Sequence, residues 1–407
     1  MSAETKIVSA EAPSAETAVA PKAILFATGC LFNQSSGPYL TVKQTAASLT
    51  RRGHAATVLG TKGRNDGEPV GWEGEALTFR RYGPYSAHFA PGTATWLRSQ
   101  PPRWDLASLQ GLWFYSNKTI TDWCSRHGKP MMITPHGMLN PTALGVASWK
   151  KALARATYMR RVFTTAACYQ AGTETEYKTL RDHGIRAPIC IVGNGIARPD
   201  TETLPAIETV LPPEVCTRRV CLYLGRLSPI KGIDRLLRAW AEVEPGDDWQ
   251  LVIAGGGADA YRAELESVAR QAGCSNLHFT GYVSTEAKAA LLAHAEFYVL
   301  PSHSEAFAMA PMEAFSLGTP ALLTTGCGFP EAAREGAALE VASSQQGIAE
   351  GLSALLSRPP QELAAMGDRA RAFVRARYDW DVVCAQLESV YAWMCGEADA
   401  PACLRFD

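Results

Sequence analysis

From Pro21 onward, short apolar runs alternate with longer stretches in which apolar positions recur at helical spacing. Such runs read as buried strands and the longer stretches as amphipathic helices. The pattern predicts strands at 22–29, 54–60, 77–82, 104–110, 130–135, 162–167 and 189–193, with helices at 40–52, 119–127 and 173–183 among those between them. Residues 197–216 break the rhythm: Pro199, Pro205, Pro212 and Pro213 stand among polar residues and read as a linker. Alternation then resumes, with strands at 219–225, 249–254, 277–282 and 297–301 and helices at 233–242, 261–272 and 286–295. Strands alternating with helices imply parallel sheets covered on both faces. The expected fold is α/β, with two Rossmann-like doubly wound domains facing across a cleft, where the carboxyl ends of both sheets bind ligands.

Composition narrows the picture. With Lys+Arg 39 against Asp+Glu 40, the chain carries no net field to attract nucleic acid. Eleven cysteines fall without a C-x-x-C pair, as expected of reduced thiols in a cytoplasmic protein. Residues 1–20, rich in Ala, Glu, Ser and Thr, read as a disordered tail and not as a signal peptide. No apolar run approaches the length of a membrane span.

The most informative stretch is Phe297-Tyr-Val-Leu-Pro-Ser-His-Ser-Glu-Ala-Phe-Ala-Met-Ala-Pro-Met-Glu-Ala-Phe-Ser-Leu-Gly-Thr-Pro320. It reads as a buried strand, a loop of small residues, and a helix stopped by Gly318. Free N–H groups at that helix start favour an anion. Glu305 and Glu313, beside such a site, suit the hydroxyls of a polyhydroxy group attached to a phosphate. Upstream, Gly225-Arg226-Leu-Ser-Pro-Ile-Lys231-Gly232 follows a strand, and Arg226 and Lys231 can flank one diphosphate.

Gly255-Gly-Gly257-Ala-Asp-Ala260 matches a dinucleotide fingerprint literally. The strand that follows, 277–282, ends without the acidic residue a dinucleotide ribose requires, which argues against that cofactor. Asp379-Trp-Asp381 spells a D-x-D metal motif but lies in a terminal helical region, and no metal is expected. Trp149 to Arg161 reads as one basic, partly amphipathic helix, either a membrane-surface contact or a solvated face.

These motifs resemble those of the retaining GT-B glycosyltransferases of family 4, the bacterial-type group 1 enzymes of polysaccharide and lipopolysaccharide assembly. Ser304, Glu305, Phe307, Glu313, Ala314, Gly318, Thr319 and Pro320 fit the family's S-E-x-F…E-A…G-T-P signature. Arg226, Lys231 and Gly232 fit its G-R-(x)-K-G element, Pro135-His136-Gly137 its P-H-G element, and Phe329-Pro330-Glu331 continues the match. Ala306 and Ala308 stand where many members have Gly, and Gln110 replaces the His of an H-G-L-W element. Gly37-Pro38 falls where relatives carry a flexible turn near the acceptor.

The resemblance, over roughly residues 22–395, implies a tail at 1–20, a first domain at 21–198, a linker at 199–216 and a donor domain at 217–380. A helix at about 382–396 would pack back on the first domain. It further implies hexose transfer from a nucleotide diphospho-sugar to a glycan or lipid-linked acceptor, without cofactor. His136, Arg226, Lys231 and Glu305 would carry catalysis, with Glu305 on the donor sugar and Glu313 on the ribose. Gly225, Gly255, Tyr282, Ala306, Phe307 and Ala308 would complete the donor site, and the enzyme would be cytoplasmic, peripheral at the inner membrane face. An epimerase or phosphorylase of the same fold, or a non-catalytic sugar-nucleotide-binding protein, are the alternatives.

Overall fold

The computed structural model describes residues 20–406, apart from 33–36, 65, 68, 70, 84–87, 146–147 and 198–199. The expected tail therefore lies, but for Ala20, outside the described residues, as does Pro199 of the linker. The first domain runs β1 (Ala23–Cys30), α1 (Gly37–Arg51), β2 (Ala55–Lys62), β3 (Glu75–Arg80), α2 (Pro91–Ser99), β4 (Leu106–Gln110) and α3 (Tyr115–His127). It continues with β5 (Met131–Thr134), α4 (Pro141–Gly145), α5 (Ser148–Ala156), α6 (Tyr158–Thr165), β6 (Cys168–Ala171), α7 (Glu174–Asp182) and β7 (Ile189–Ile191). After α8 (Pro213–Cys216), the second domain holds β8 (Arg219–Leu224), α9 (Ile233–Val243), β9 (Trp249–Ala254), α10 (Asp259–Ala272), β10 (Leu277–Gly281) and α11 (Thr285–His294). Then follow β11 (Phe297–Leu300), α12 (Met309–Leu317), β12 (Ala321–Thr324), α13 (Pro330–Arg334), β13 (Ala338–Val341), α14 (Gln345–Leu356) and α15 (Pro360–Arg377). The chain closes with α16 (Trp380–Met394) and β14 (Leu404–Arg405).

The strand order is β14-β7-β6-β5-β4-β1-β2-β3 in the first sheet and β10-β9-β8-β11-β12-β13 in the second. All neighbours are parallel except β14, which pairs antiparallel with β7. Each order reverses direction once, between β4 and β1 and between β8 and β11. Parallel strands buried on both faces need continuous apolar runs, and β4, β5, β9, β11 and β12 are buried along their whole length. Helix α9 shows the complementary pattern, burying Ile233, Leu236, Leu237 and Trp240 as one stripe.

Three expectations change. The run at 162–167 is not a strand: it lies in α6, which buries Met159 and Val162 one turn apart, while Arg160 and Arg161 are exposed. The strand comes directly after it, where Cys168 and Tyr169 pair with Met132 and Ile133. The basic stretch at 149–161 is two short helices, α5 and α6, parted at Thr157. The second half of the linker is structured, with Leu211 and Val215 buried in the core of the second domain. The ten cysteines with described side chains are free thiols, and no described helix is long and apolar enough to cross a membrane.

Helix α16 crosses to the first domain, where Val383, Leu387, Val390 and Tyr391 join Ile24, Phe26, Val42 and Leu49 in one core. Asp379 caps this helix, accepting from the Asp381 N–H, and Asp381 lies 3.6 Å from Arg52; the D-x-D is a helix start. Glu388 takes two hydrogen bonds from Arg52, at 2.6 and 2.8 Å, and one from His54 at 3.0 Å. Burial pushes the Glu388 carboxyl up, but the hydrogen bonds and charge of Arg52 and His54 outweigh it and hold it at about 2.

A folded-state value below the unfolded one adds stability above the unfolded value, lost as pH falls toward the folded one. Between pH of about 4.3 and 2, this clamp is therefore expected to weaken. Glu388→Gln should flatten the fall in denaturation midpoint across that window. An unchanged pH dependence in the variant would refute this role for the clamp.

Candidate active site

Both topological switch points carry the motifs. In the second domain, Gly225-Arg226 leaves the end of β8 and Ser302–Glu305 leaves the end of β11, its direct neighbour. His303 N–H braces the two loops by donating to Ile230 O at 2.9 Å, and Glu305 N–H donates to Gly326 O, in the loop after β12, at 2.9 Å. Helix α12 then starts without a side-chain cap, with Met309, Ala310 and Pro311 of its first turn lining the cleft, and stops at Gly318 in the left-handed conformation.

A cavity of about 430 Å³ collects Gly225, Arg226, Lys231, Glu305, Phe307, Ala308 and Glu313. Gly37, Leu40 and Gln44 of α1 and Gly195 wall it from the first domain. Lys231 Nζ lies 2.6 Å from Glu305 Oε1, which also accepts from Ser302, and both partners of this pair are largely shielded from solvent. Lys288 of α11 also lines the cavity and pairs with Glu313 at 2.6 Å. Sequence reading missed Lys288, because a single Lys on a helix 25 positions before Glu313 carries no motif. Three cations thus face two carboxylates, an excess that suits an anionic ligand. An ammonium has three donors, so Lys231 can hold Glu305 and a phosphate oxygen together.

A smaller adjoining cavity of about 80 Å³ is lined by His136, Thr134, Gln170, Glu176, Ala306 and Phe307, among others. His136 has φ of 52° at the end of β5, and burial pulls its imidazole down to about 4, so it is neutral at pH 7. Glu176 holds the turn in place, accepting from Gly137 N–H at 2.7 Å and Gly172 N–H at 2.8 Å. Burial raises the Glu176 carboxyl, against the lowering effect of those two bonds. Its only sequence signal is Thr173-x-x-Glu176, a capping-box pattern that marks any helix start.

Gly137 has φ of 71°, and a Cβ there would sit 2.3 Å from the Ala306 Cβ of the other domain. The Ala306 methyl therefore fills space that Gly137 leaves. Phe307 stacks edge-on with Phe329 and Tyr378, at 5.2 and 5.6 Å, and packs over Gly172 and Gly193 of the first domain. Gly255 and Tyr282 line neither cavity. A Cβ on Gly255, whose φ is 138°, would sit 1.9 Å from Gly225 O, so the glycine motif lets two backbone turns touch. Tyr282 is 83% exposed on the turn beside it.

Two doubly wound domains, their switch points opposed across a polar cleft, define the GT-B class of glycosyltransferase. The family described as "Glycosyl transferases group 1" matches residues 213–373, and "Glycosyl transferase 4-like domain" matches residues 36–195. The chain belongs to the group 1 glycosyltransferases of GT-B fold.

Among curated relatives, it is 28% identical to a GDP-mannose:cellobiosyl-diphosphopolyprenol alpha-mannosyltransferase of Xanthomonas campestris, over 68% of this chain and 70% of that one. It is 30% identical to a D-inositol 3-phosphate glycosyltransferase 2 of Catenulispora acidiphila, over 66% of each. With a D-inositol 3-phosphate glycosyltransferase of Corynebacterium aurimucosum the identity is 31%, but the match spans only 43% of either chain. The fold is shared with Anabaena HepE, solved with UDP and glucose, at a TM-score of 0.68 and 18% identity over 91% of this chain and 100% of that one.

Proposed function

We propose that the protein transfers a hexose from a nucleotide diphospho-sugar to an acceptor hydroxyl with retention of configuration. The observation that carries this reading is the cavity of about 430 Å³, where Arg226, Lys231, Lys288, Glu305, Glu313 and the start of α12 converge. The diphosphate lies against Arg226, Lys231 and the α12 N–H groups, which stabilise the charge that grows as the sugar's C–O bond breaks. Glu313 accepts from ribose hydroxyls and Glu305 from the sugar. The sugar reaches across to His136, and the leaving phosphate takes the acceptor's proton on the same face. Gly225, Ala306, Phe307 and Ala308 shape the donor pocket, while Gly255 and Tyr282 act from behind it.

This positive field makes a divalent metal unnecessary, since a metal would serve to neutralise the same leaving group. The test is to screen UDP- and GDP-sugars by thermal shift, then follow transfer and product anomer by NMR in excess EDTA. A donor at about 100 times its Kd stabilises by about 2.7 kcal/mol. Turnover that stops in EDTA and returns with Mg²⁺ would overturn the metal-free reading, and an inverted anomer the retaining one. Sugar-nucleotide change without acceptor would instead favour an epimerase.

The acceptor is lipid-linked in this reading, presented at an anionic membrane surface. Helices α5 and α6 and the loop before β7 enclose a cavity of about 970 Å³ with an apolar wall that includes Leu139, Leu144, Phe163 and Ile185. Lys151, Arg155, Arg160 and Arg186 line it as well, a composition suited to an anionic interface. Arg155→Glu with Arg160→Glu should abolish flotation with phosphatidylglycerol vesicles. Equal flotation of wild type and variant would remove the membrane from this reading.

A further inference from the structure

A directional hydrogen-bond chain runs beneath the cleft through the first sheet. It begins at Val192 O, just beyond β7; a carbonyl can only accept, so the Gln170 amide nitrogen donates to it, at 2.8 Å. Gln170 Oε1 is then an acceptor and takes the Thr134 hydroxyl proton at 2.9 Å. With that proton committed, Thr134 Oγ1 is left to accept, and Gln110 Nε2 donates to it at 3.3 Å and to Ser108 Oγ at 2.7 Å. Gln110 Oε1 therefore points the other way, at His136 Nε2, 2.8 Å distant. An amide oxygen has only lone pairs to offer, so Nε2 must bear the imidazole proton.

A reversed Gln110 amide would set its oxygen against Thr134 Oγ1 with no proton between them, leaving only the Ser108 hydroxyl to donate to it, and would turn its N–H₂ toward His136. Gln110, Thr134 and Gln170 are all buried, so no bulk water relaxes the arrangement. Gln110 and Thr134 are direct partners in the β4–β5 register, which locks the spacing. Among the described residues His136 Nδ1 has no hydrogen-bond partner, and the ring lines the cavity shared with Ala306 and Phe307.

We propose that Gln110 is a positioning residue which, through this chain, holds His136 as the Nε2–H tautomer, so that Nδ1 meets the ligand as a hydrogen-bond acceptor for a sugar hydroxyl. The assignment of the ligand as a sugar rests on the transferase reading; the tautomer does not. A phosphate oxygen, which has no proton to give at that point, is excluded from this position. A neutral Nδ1 lone pair selects a donor sugar that carries a hydroxyl there.

The tautomer is read directly from ¹⁵N spectra of histidine-labelled protein, with the His136 signals assigned by subtraction in His136→Asn. Wild type should show a protonated Nε2 and a bare Nδ1. Gln110→Met removes the acceptor at nearly constant volume, and Thr134→Val breaks the chain one link earlier without touching the ring. Both should shift His136 toward a mixture of tautomers, which a purely structural role would not do.

In transfer assays with monodeoxy donors, one position should cost wild type about 10²-fold in kcat/KM, the order of loss when one buried acceptor is left without its hydrogen-bond donor. Gln110→Met should discriminate less at that position, with affinity for the bare nucleotide unchanged. A wild-type Nδ1–H signal, or a His136 spectrum unaffected by Gln110→Met, would overturn the proposal. If no donor supports transfer, the sugar assignment falls with the transferase reading, while the ¹⁵N result still decides the tautomer.

Discussion

Lys231→Ala is expected to lower kcat by about 10²–10³-fold, the loss that follows removal of one preorganised charge-stabilising donor. It should also cost stability, because Glu305 keeps its carboxylate in a shielded position after its 2.6 Å partner is gone. The two effects separate in a double variant. Lys231→Ala with Glu305→Gln removes the orphaned charge, so denaturation midpoints should recover while turnover stays low. Recovery of both together would mean that the pair only holds the loop and never meets the diphosphate. Lys231→Arg should keep more activity than Ala but less than wild type, since a planar fork fits a site built for a point charge poorly.

The second large effect is steric. Gly137→Ala places a methyl 2.3 Å from the Ala306 Cβ, closer than any real contact, so the two loops must part. A displacement of about 1 Å at a reacting centre costs about 10²-fold in rate. Nucleotide binding, which the proposed function assigns to the second domain, should persist by calorimetric titration. Ala306→Gly opens matching space, so the double variant should regain part of the lost transfer. Recovery stays incomplete because a non-glycine residue at φ of 71° still costs about 1–2 kcal/mol. A double variant as inactive as Gly137→Ala would show that contact with Ala306 is not what the glycine protects.

Most of the alternation of strands and helices was legible because apolar runs buried on both faces leave an unambiguous trace. Trp249–Ala254 is one case, and the helix stop at Gly318 is another. The run at 162–167 was not, since Val-Phe-Thr-Thr-Ala-Ala suits a strand locally, and only packing of Met159 and Val162 selects the helix. Strand β14, two residues long, exists only because β7 offers it an edge. In the candidate site, Arg226, Lys231, Glu305 and Glu313 were readable from spacing within one domain. Lys288, Glu176 and the contact of Gly137 with Ala306 were not, because each joins segments distant in sequence.

The crossing of α16 carries a consequence for how the molecule is made. The first domain draws its last helix and an edge strand from residues 380–405, synthesised after the second domain's own sheet is complete. At ribosomal rates of about 5–20 residues per second, the first domain waits on the order of ten seconds or more for that segment. Until then Ile24, Phe26, Val42 and Leu49 lack the apolar cover that Val383, Leu387 and Tyr391 later supply. The half of the protein translated first is thus the half that finishes folding last, and it is the nascent surface a chaperone would meet.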